Sequence, residues 1–371
     1  MKALVIGGTG PTGPGVVQGL LERGYEVTIY HRGLHEVEGM PEVHQHLHGD
    51  ADDPEALKRD LGGYWDVVCA MYGRDARPDH LFAGRCDRII CIAGQSSYVR
   101  PQYLPFPQSR ALPVREDWPR YVEPRPGHEH AATVAEFERS VLEHHARGDY
   151  AATVFTYTSL YGPRAPRPLL WPIVRRILDG RRQVIVPGGG GQLRPMCYAD
   201  NAVHQLLLAL DRPEARGQSF NSVDCDTYRL GDIVRLVAEG LGVEVEVVGL
   251  NHPYVKTLTM GYAPDEDWMW DAGKLMSLMG YRDAVPAAEG IRRTAQWQAA
   301  HRDEVDTPMV ALITRDPYAY AVEDQLIASY RDWVAASTQS VPAPLAPPRP
   351  RGDRNFRYMT TDTMTAGKAS H

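Results

Sequence analysis

Residues 7–13 read Gly7-Gly8-Thr9-Gly10-Pro11-Thr12-Gly13, directly behind the short apolar run KALVIG at 2–7. The run has the look of a buried parallel strand. The stretch after it, 14–23, places Val16, Val17, Leu20 and Leu21 on one helical face. Strand, glycine turn and helix in that order satisfy G-x-G-x-x-G at positions 8, 10 and 13, and G-x-x-G-x-x-G at 7, 10 and 13. Glycines serve a dinucleotide site in three ways. They allow the tight turn, let the backbone approach a pyrophosphate, and let the helix pack on the strand. The amides that open the helix then bind the phosphates. Gly7, Thr9, Gly10, Pro11, Thr12 and Gly13 are therefore the expected pyrophosphate cradle.

Working outward, strands are expected at 26–30, 44–49, 65–71, 87–92 and 151–157, with helices from 14, from 54 and over 130–146. This alternation predicts an α/β fold, a doubly wound parallel Rossmann sheet. Beyond Gly162 proline clusters and the glycine run 188–191 point to a smaller C-terminal α/β substrate lobe, with helices at 199–211, 229–240, 271–279 and 285–301. The expected division is a dinucleotide-binding domain over 1–162, an interleaved substrate lobe over 163–301, a helical extension over 302–339 and a Pro-rich, flexible tail over 340–371. The arginines of 171–182 read as a solvated helix face.

The second strand ends in Tyr30-His31-Arg32-Gly33. An NAD site places a carboxylate there for the ribose 2′-hydroxyl. None is present, and Arg32 can pair with a 2′-phosphate. His31 and Arg32 are thus expected at the adenosine end, and NADP(H) is the expected cofactor over NAD(H).

The order of motifs resembles the extended short-chain dehydrogenase/reductase, or NAD-dependent epimerase/dehydratase, family. GGTGPTG, HRG and Gly49-Asp50-Ala51 carry the first half of the likeness. The second half rests on Leu160-Tyr161-Gly162-Pro163, Gly191-Gln192-Leu193-Arg194, Tyr198-Ala199-Asp200-Asn201, Asn221, and Asp271 through Lys274-Leu275 to Gly280-Tyr281. The likeness covers about 1–301, and the chloroplast stem-loop-binding-protein-like branch is the nearest in its G-G-T and R-G signals. It implies Asp50 and Ala51 at the adenine, Cys69 and Ala70 along the dinucleotide, and Tyr161 and Arg194 toward substrate. Arg194 matches an arginine that grips a substrate diphosphate in sugar-nucleotide enzymes; an ordinary surface arginine is the alternative. A second arginine usual in those enzymes has no counterpart in 257–270.

The same likeness implies a catalytic Ser/Thr with Tyr-x-x-x-Lys, the tyrosine acting as general acid/base. Glu136 sets the register, and in it the tyrosine is His128 and the lysine is Ala132. The Ser/Thr position is Gly94, if Tyr98 is the tyrosine of S-x-x-x-Y, and the family arginine is Thr156. Either His128 handles the proton, with Ser96 or Tyr98 hydrogen-bonding the substrate, or it is a tolerated polar residue at a helix start. Imidazole chemistry suits the first role because it titrates near neutrality.

The formal charge of −7 gives no footing for a nucleic-acid or membrane partner. Five scattered cysteines without a CxxC pair fit a reducing cytoplasm. There is no signal-like start, and no run reaches the ~18 apolar residues of a membrane span. His44, His46 and His48 share a strand face by period; they read as a polar, half-exposed strand, and no metal site is expected. The expected function is an NADP(H)-dependent oxidoreductase, epimerase or dehydratase of secondary metabolism acting on a small polar metabolite. The alternative is a non-redox lyase or isomerase, or a cofactor-sensing binding protein. Monomer and homodimer both stay open.

Overall fold

In the computed structural model the described residues are 1–34, 39–72, 74–100, 104, 112–124, 126–257 and 267–340. The first half runs β1 (Lys2–Ile6), α1 (Gly13–Glu22), β2 (Glu26–His31), β3 (Gln45–His48), α2 (Pro54–Asp60), β4 (Trp65–Ala70), α3 (Pro78–Leu81), β5 (Cys86–Gly94), α4 (Glu129–Arg147) and β6 (Ala151–Tyr157). Then follow β7 (Ser159–Tyr161), α5 (Trp171–Leu178), β8 (Gln183–Pro187), β9 (Leu193–Arg194), β10 (Met196–Tyr198), α6 (Ala199–Asp211) and β11 (Gln218–Ser222). The chain continues through β12 (Tyr228–Arg229), α7 (Leu230–Gly240), β13 (Glu246–Leu250), α8 (Gly273–Met279), α9 (Ala287–Ala300), α10 (Arg302–Val305) and α11 (Pro308–Thr314) to α12 (Tyr320–Ser340).

Seven strands form one parallel sheet in the order β11-β6-β5-β4-β1-β2-β3. This is the doubly wound Rossmann arrangement. The central strands β1, β4, β5 and β6 are largely apolar because both faces are covered, whereas the edge strand β3 is polar and mostly exposed. One face packs Leu4, Ile6, Tyr30, Val68 and Ile89 against Leu57, Phe137 and Val141; the other packs Val5, Ile29 and Ile90 against Val16, Val17, Leu20 and Leu206. The order reverses between β1 and β4, so the crevice outside their carboxyl ends is where such a sheet takes a ligand.

A third core gathers α5, α7, α9 and the parallel pair β8–β13. The strands β8 and β13 are absent from the sequence-based reading, although their runs QVIVP and EVVGL carry β-branched residues at strand length. The arginines of α5 need a correction too. Arg176 is buried and forms a bidentate pair with Asp316 at 2.7 and 2.9 Å; Arg175 bonds Asp306 at 2.7 Å. Those guanidiniums meet the chain on either side of α11, Asp306 before it and Asp316 after it, so they face protein instead of water.

Residues Met1–Tyr318 make up one compact unit and Ala319–His371 a second. Within the second unit the described part is α12. The tail expected over 340–371 lies outside the described residues except for its first position. Among the described residues no helix is long and apolar enough to cross a membrane. All five cysteines are unpaired thiols.

Candidate active site

The glycine turn is built from backbone. The Gly7 amide donates to Tyr30 O at 2.9 Å, the Thr9 amide to Gly7 O, and the Gly13 amide to Gly10 O at 3.0 Å. Gly7 has φ +100°, a region side chains avoid. At Gly13 a Cβ would stand 1.9 Å from Gly8 O, so the helix start presses directly on the turn. At Gly10 a Cβ would meet nothing within 4 Å. Thr12 stands at the N-cap of α1 and makes no side-chain hydrogen bond to the helix amides. A tight turn with room above Gly10 and a helix start beside it fits a pyrophosphate.

At the adenosine end the residues divide. Arg32 is exposed and its guanidinium lies 5.7 Å from the Tyr72 ring. Asp50 is exposed just past β3, and its carboxylate accepts the Asp52 amide at 3.0 Å. His31 is buried, and Gly33 N donates to its Nδ1 at 3.1 Å. Its ring lies on the sheet face shared with His46 and His48. Ala51, Cys69 and Ala70 have their side chains in the core, since β4 is still paired to β1 at Ile6↔Ala70. The chain meets the glycine turn one step later, at Met71 and Tyr72: a Cβ on Gly7 would lie 2.8 Å from Tyr72 Cβ. Tyr72 also donates to Asp52 at 2.9 Å.

Past β5 a short turn, Gln95–Ser97, separates the serines. Ser96 is exposed, whereas Ser97 is buried and donates to Glu138 Oε1 at 2.9 Å. Tyr98 is 1% exposed, and its hydroxyl donates to Asn221 Oδ1 at 2.6 Å. Burial pushes its phenol well above the usual range, with the Arg120 guanidinium, 3.5 Å above its ring, acting the other way. That hydroxyl is committed inside the protein, so the proton-handling role expected of Tyr98 does not match its placement. The segment 118–121 runs along 97–99, joined by Val99 N to Pro119 O and Tyr121 N to Ser97 O, both 2.9 Å. It brings Tyr121 against His128, rings stacked at 5.4 Å and 14°.

His128 is half-buried at the N-cap of α4. One turn on, Ala132 is buried and packs in a small cluster with Ala131 and Tyr121. The alanine thus packs on the Tyr121 side chain. Thr156, at the place of the family arginine, is buried and donates to Glu138 at 3.1 Å. Glu138 also accepts from Arg120 at 2.8 Å, which closes a buried ion pair under the serine turn.

In the second half, Tyr161 is buried against Tyr198, its hydroxyl 2.9 Å from Asp224 Oδ2 and 3.1 Å from Ala287 O. It serves as an internal strut, which corrects its expected place toward substrate. Arg194, on β9, is half-buried near Asp267, and burial lowers its pKa from the ordinary value. Asp224 also accepts from Tyr198 N and Asn201 Nδ2, both at 2.9 Å. Burial raises its carboxyl to about 7 despite those donors. Unfolded, the same group ionises near its ordinary value of about 3.9. The folded chain therefore holds a proton that the unfolded chain has lost, and stability falls as pH rises through that window. Denaturant melts are expected to show a drop on the order of 3 kcal/mol between pH 4.5 and 8 (roughly the three-unit window). Asp224→Asn is expected to flatten it; an unchanged slope would refute the assignment.

Residues 105–222 match the model of the NAD dependent epimerase/dehydratase family. The likeness to this family is carried by that segment, which is under a third of the chain. A curated relative, the dTDP-glucose 4,6-dehydratase of Streptomyces griseus, is 26% identical over 179 residues, 48% of this chain and 52% of that protein. The chain spans about half the length of the curated relatives it matches. Among solved structures, the UDP-glucose 4-epimerase of Thermotoga maritima with UDP-glucose has a TM-score of 0.61 at 19% identity, over 82% of this chain and 100% of that one. The dTDP-glucose 4,6-dehydratase of Bacillus anthracis in complex with NAD has a TM-score of 0.59 at 16% identity, over 82% and 98%. At these identities the likeness shows the fold.

Against the epimerase/dehydratase pattern, the residues that sequence reading overlooks are Tyr72, Arg120, Tyr121 and Glu138. Three of them have no local signal, because they act through contacts across the sheet end. Glu138 does have one. It falls seven residues after Ala131 and three after Ala135, on the buried stripe of α4, where a charge must find partners.

Proposed function

We propose that the protein is an NADP(H)-dependent enzyme of the epimerase/dehydratase type acting on a small polar metabolite, with His128 as its acid/base. The glycine turn carries this reading: the free space above Gly10, bounded by the start of α1, suits a dinucleotide pyrophosphate. Gly7, Thr9, Gly10 and Thr12 would hold the phosphates, and Arg32 with Asp50 the adenosine end. The nicotinamide, when bound, supplies hydride exchange. Ser96, exposed at the end of β5, would hydrogen-bond a substrate oxygen, and His128 would take or return its proton. The names of the relatives point to a nucleotide-linked sugar as the substrate class, and Arg194 is the residue suited to its diphosphate. The unpaired thiols favour a reducing cytoplasm. A small-molecule substrate, and no nucleic acid, is the partner supported by the acidic balance.

Calorimetric titration tests the cofactor choice. NADP+ is expected to bind about ten- to a hundredfold more tightly than NAD+, the worth of a charge-assisted hydrogen bond to the extra phosphate. Arg32→Ala should remove that preference. Tighter binding of NAD+ to the unmodified protein would overturn it.

One observation favours a second reading. Tyr121 packs where the family lysine would lie, so no cation braces a nicotinamide ribose from position 132. A non-redox isomerase, lyase or cofactor sensor on the same cleft would carry this feature. Reduced-nicotinamide absorbance that never changes with dTDP- or UDP-sugars, while bound NADP is retained, would favour this alternative.

A further inference from the structure

We propose that His31, His46 and His48 form a binding site for a first-row transition-metal ion of the zinc or nickel class. In the parallel pairing of β2 with β3, His31 lies directly beside His48 and Ile29 beside His46. Because side chains alternate along a strand, all three imidazoles emerge on one face. His44, one residue before β3, is outside the group, and His31 from the neighbouring strand takes the third place. One ligating nitrogen from each ring lies within 4.8 Å of the other two.

The rings meet edge-on, with centroids 5.0 Å apart for His31 and His48, 5.4 Å for His31 and His46, and 6.3 Å for His46 and His48. Zinc–nitrogen bonds of about 2.0–2.1 Å in a tetrahedron set the nitrogens roughly 3.3 Å apart. The exposed His46 and His48 need only small rotations to reach that spacing around a His31 fixed by burial. His48 is already steadied by the turn, since a Cβ on Gly33 would lie 3.3 Å from its ring. An H-x-H pair plus one imidazole from the adjacent strand is an all-nitrogen set, which suits zinc, nickel or copper and not magnesium or calcium.

Binding exchanges one contact. Gly33 N now donates to His31 Nδ1. A metal on Nδ1 takes that lone pair, and a metal on Nε2 places a proton on Nδ1; either way the Gly33 amide is released. The other grouping with ligand spacing, Asp79 with His80 and His144, lacks this readiness. The Asp79 carboxylate is held by Arg77 at 2.8 Å and by Ser140 at 2.6 Å, and His144 by Asp149 at 2.7 Å.

The test uses the full chain, stripped with a chelator and without nucleotide, titrated with Zn2+ by calorimetry and with Co2+ by visible absorption. Saturable binding of one ion per chain and a ligand-field band are expected. His46→Ala and His48→Ala, both at exposed positions, should each weaken binding by about tenfold or more. His44→Ala and His80→Ala should leave it unchanged. The site is refuted if Zn2+ does not saturate, if His44→Ala weakens binding as much as His48→Ala, or if inorganic phosphate binds there and Zn2+ does not.

Discussion

His128→Ala is expected to lower turnover about 10²–10⁴-fold, the usual worth of a positioned general acid/base. The affinity for NADP+ should stay as it was. The two readouts separate because the pyrophosphate turn and the α4 cap belong to different strand ends. His128 sits half-buried at the start of α4, stacked on Tyr121, which is itself fastened to the serine turn through Ser97 O. The imidazole is thus held on the same side of the sheet end as Ser96. No cation comes from position 132, where Ala132 packs on Tyr121. A tyrosine at 128 would lack the lysine that normally lowers its pKa. An imidazole needs no such help, so its presence with an alanine at 132 is chemically consistent. His128→Tyr should therefore remain as slow as His128→Ala, even though it restores the family residue. Because the ring is half-exposed and caps nothing through its side chain, circular dichroism and melting should change little. Full turnover in His128→Ala would remove the residue from the mechanism and leave Ser96 as the remaining proton-handling candidate.

Much of the sheet is legible in the sequence because its strands are buried on both faces. Apolar runs such as 67–70 and 89–93 need no tertiary knowledge to be seen. The glycine turn is legible for the same reason: Gly13 and Gly7 are demanded by backbone geometry, which a pattern of glycines records directly. Side-chain direction is harder. The motif likeness places Cys69, Ala70 and Ala51 beside a dinucleotide, yet pairing continues through Ala70 and keeps those side chains in the core. The strand ends at Ala70, and it is the following Tyr72 that packs on the glycine turn at Gly7. His31 is similar, since period two turns it onto the sheet face while the next residue, Arg32, enters solvent.

The network around Glu138 shows the other limit. Arg120, Ser97 and Thr156 converge on one carboxylate from three segments separated by up to 59 positions (Ser97 to Thr156), and no spacing rule links them. Such a group has to be inferred from a charge on an apolar stripe, and its partners can be named only after the fold is known. Tyr161 and Asp224 behave alike: a motif tyrosine and a raised carboxyl both prove to be internal struts.

Gly13→Ala and Gly10→Ala are expected to fail differently, and the contrast tests the cofactor reading itself. At Gly13 the added carbon would meet Gly8 O at 1.9 Å and Gly8 Cα at 2.8 Å. Both are backbone atoms, so no side chain can swing aside, and the turn must open. Overpacking of this kind costs about 1–3 kcal/mol or more, and a turn displaced by about 1 Å should lose most of its grip on a pyrophosphate, on the order of 100-fold. Gly13→Ala should therefore melt earlier and bind NADP+ poorly. At Gly10 the same carbon would meet nothing within 4 Å, and the backbone there is not left-handed. Gly10→Ala should fold and melt like the parent. Its methyl, however, projects into the space assigned to the coenzyme, so NADP+ binding should fall while stability does not. Calorimetric titration beside thermal melts separates the two variants. Unchanged NADP+ affinity in Gly10→Ala would mean that the free space above the turn is not where the dinucleotide lies, and the assignment of the crevice between β1 and β4 would fall with it.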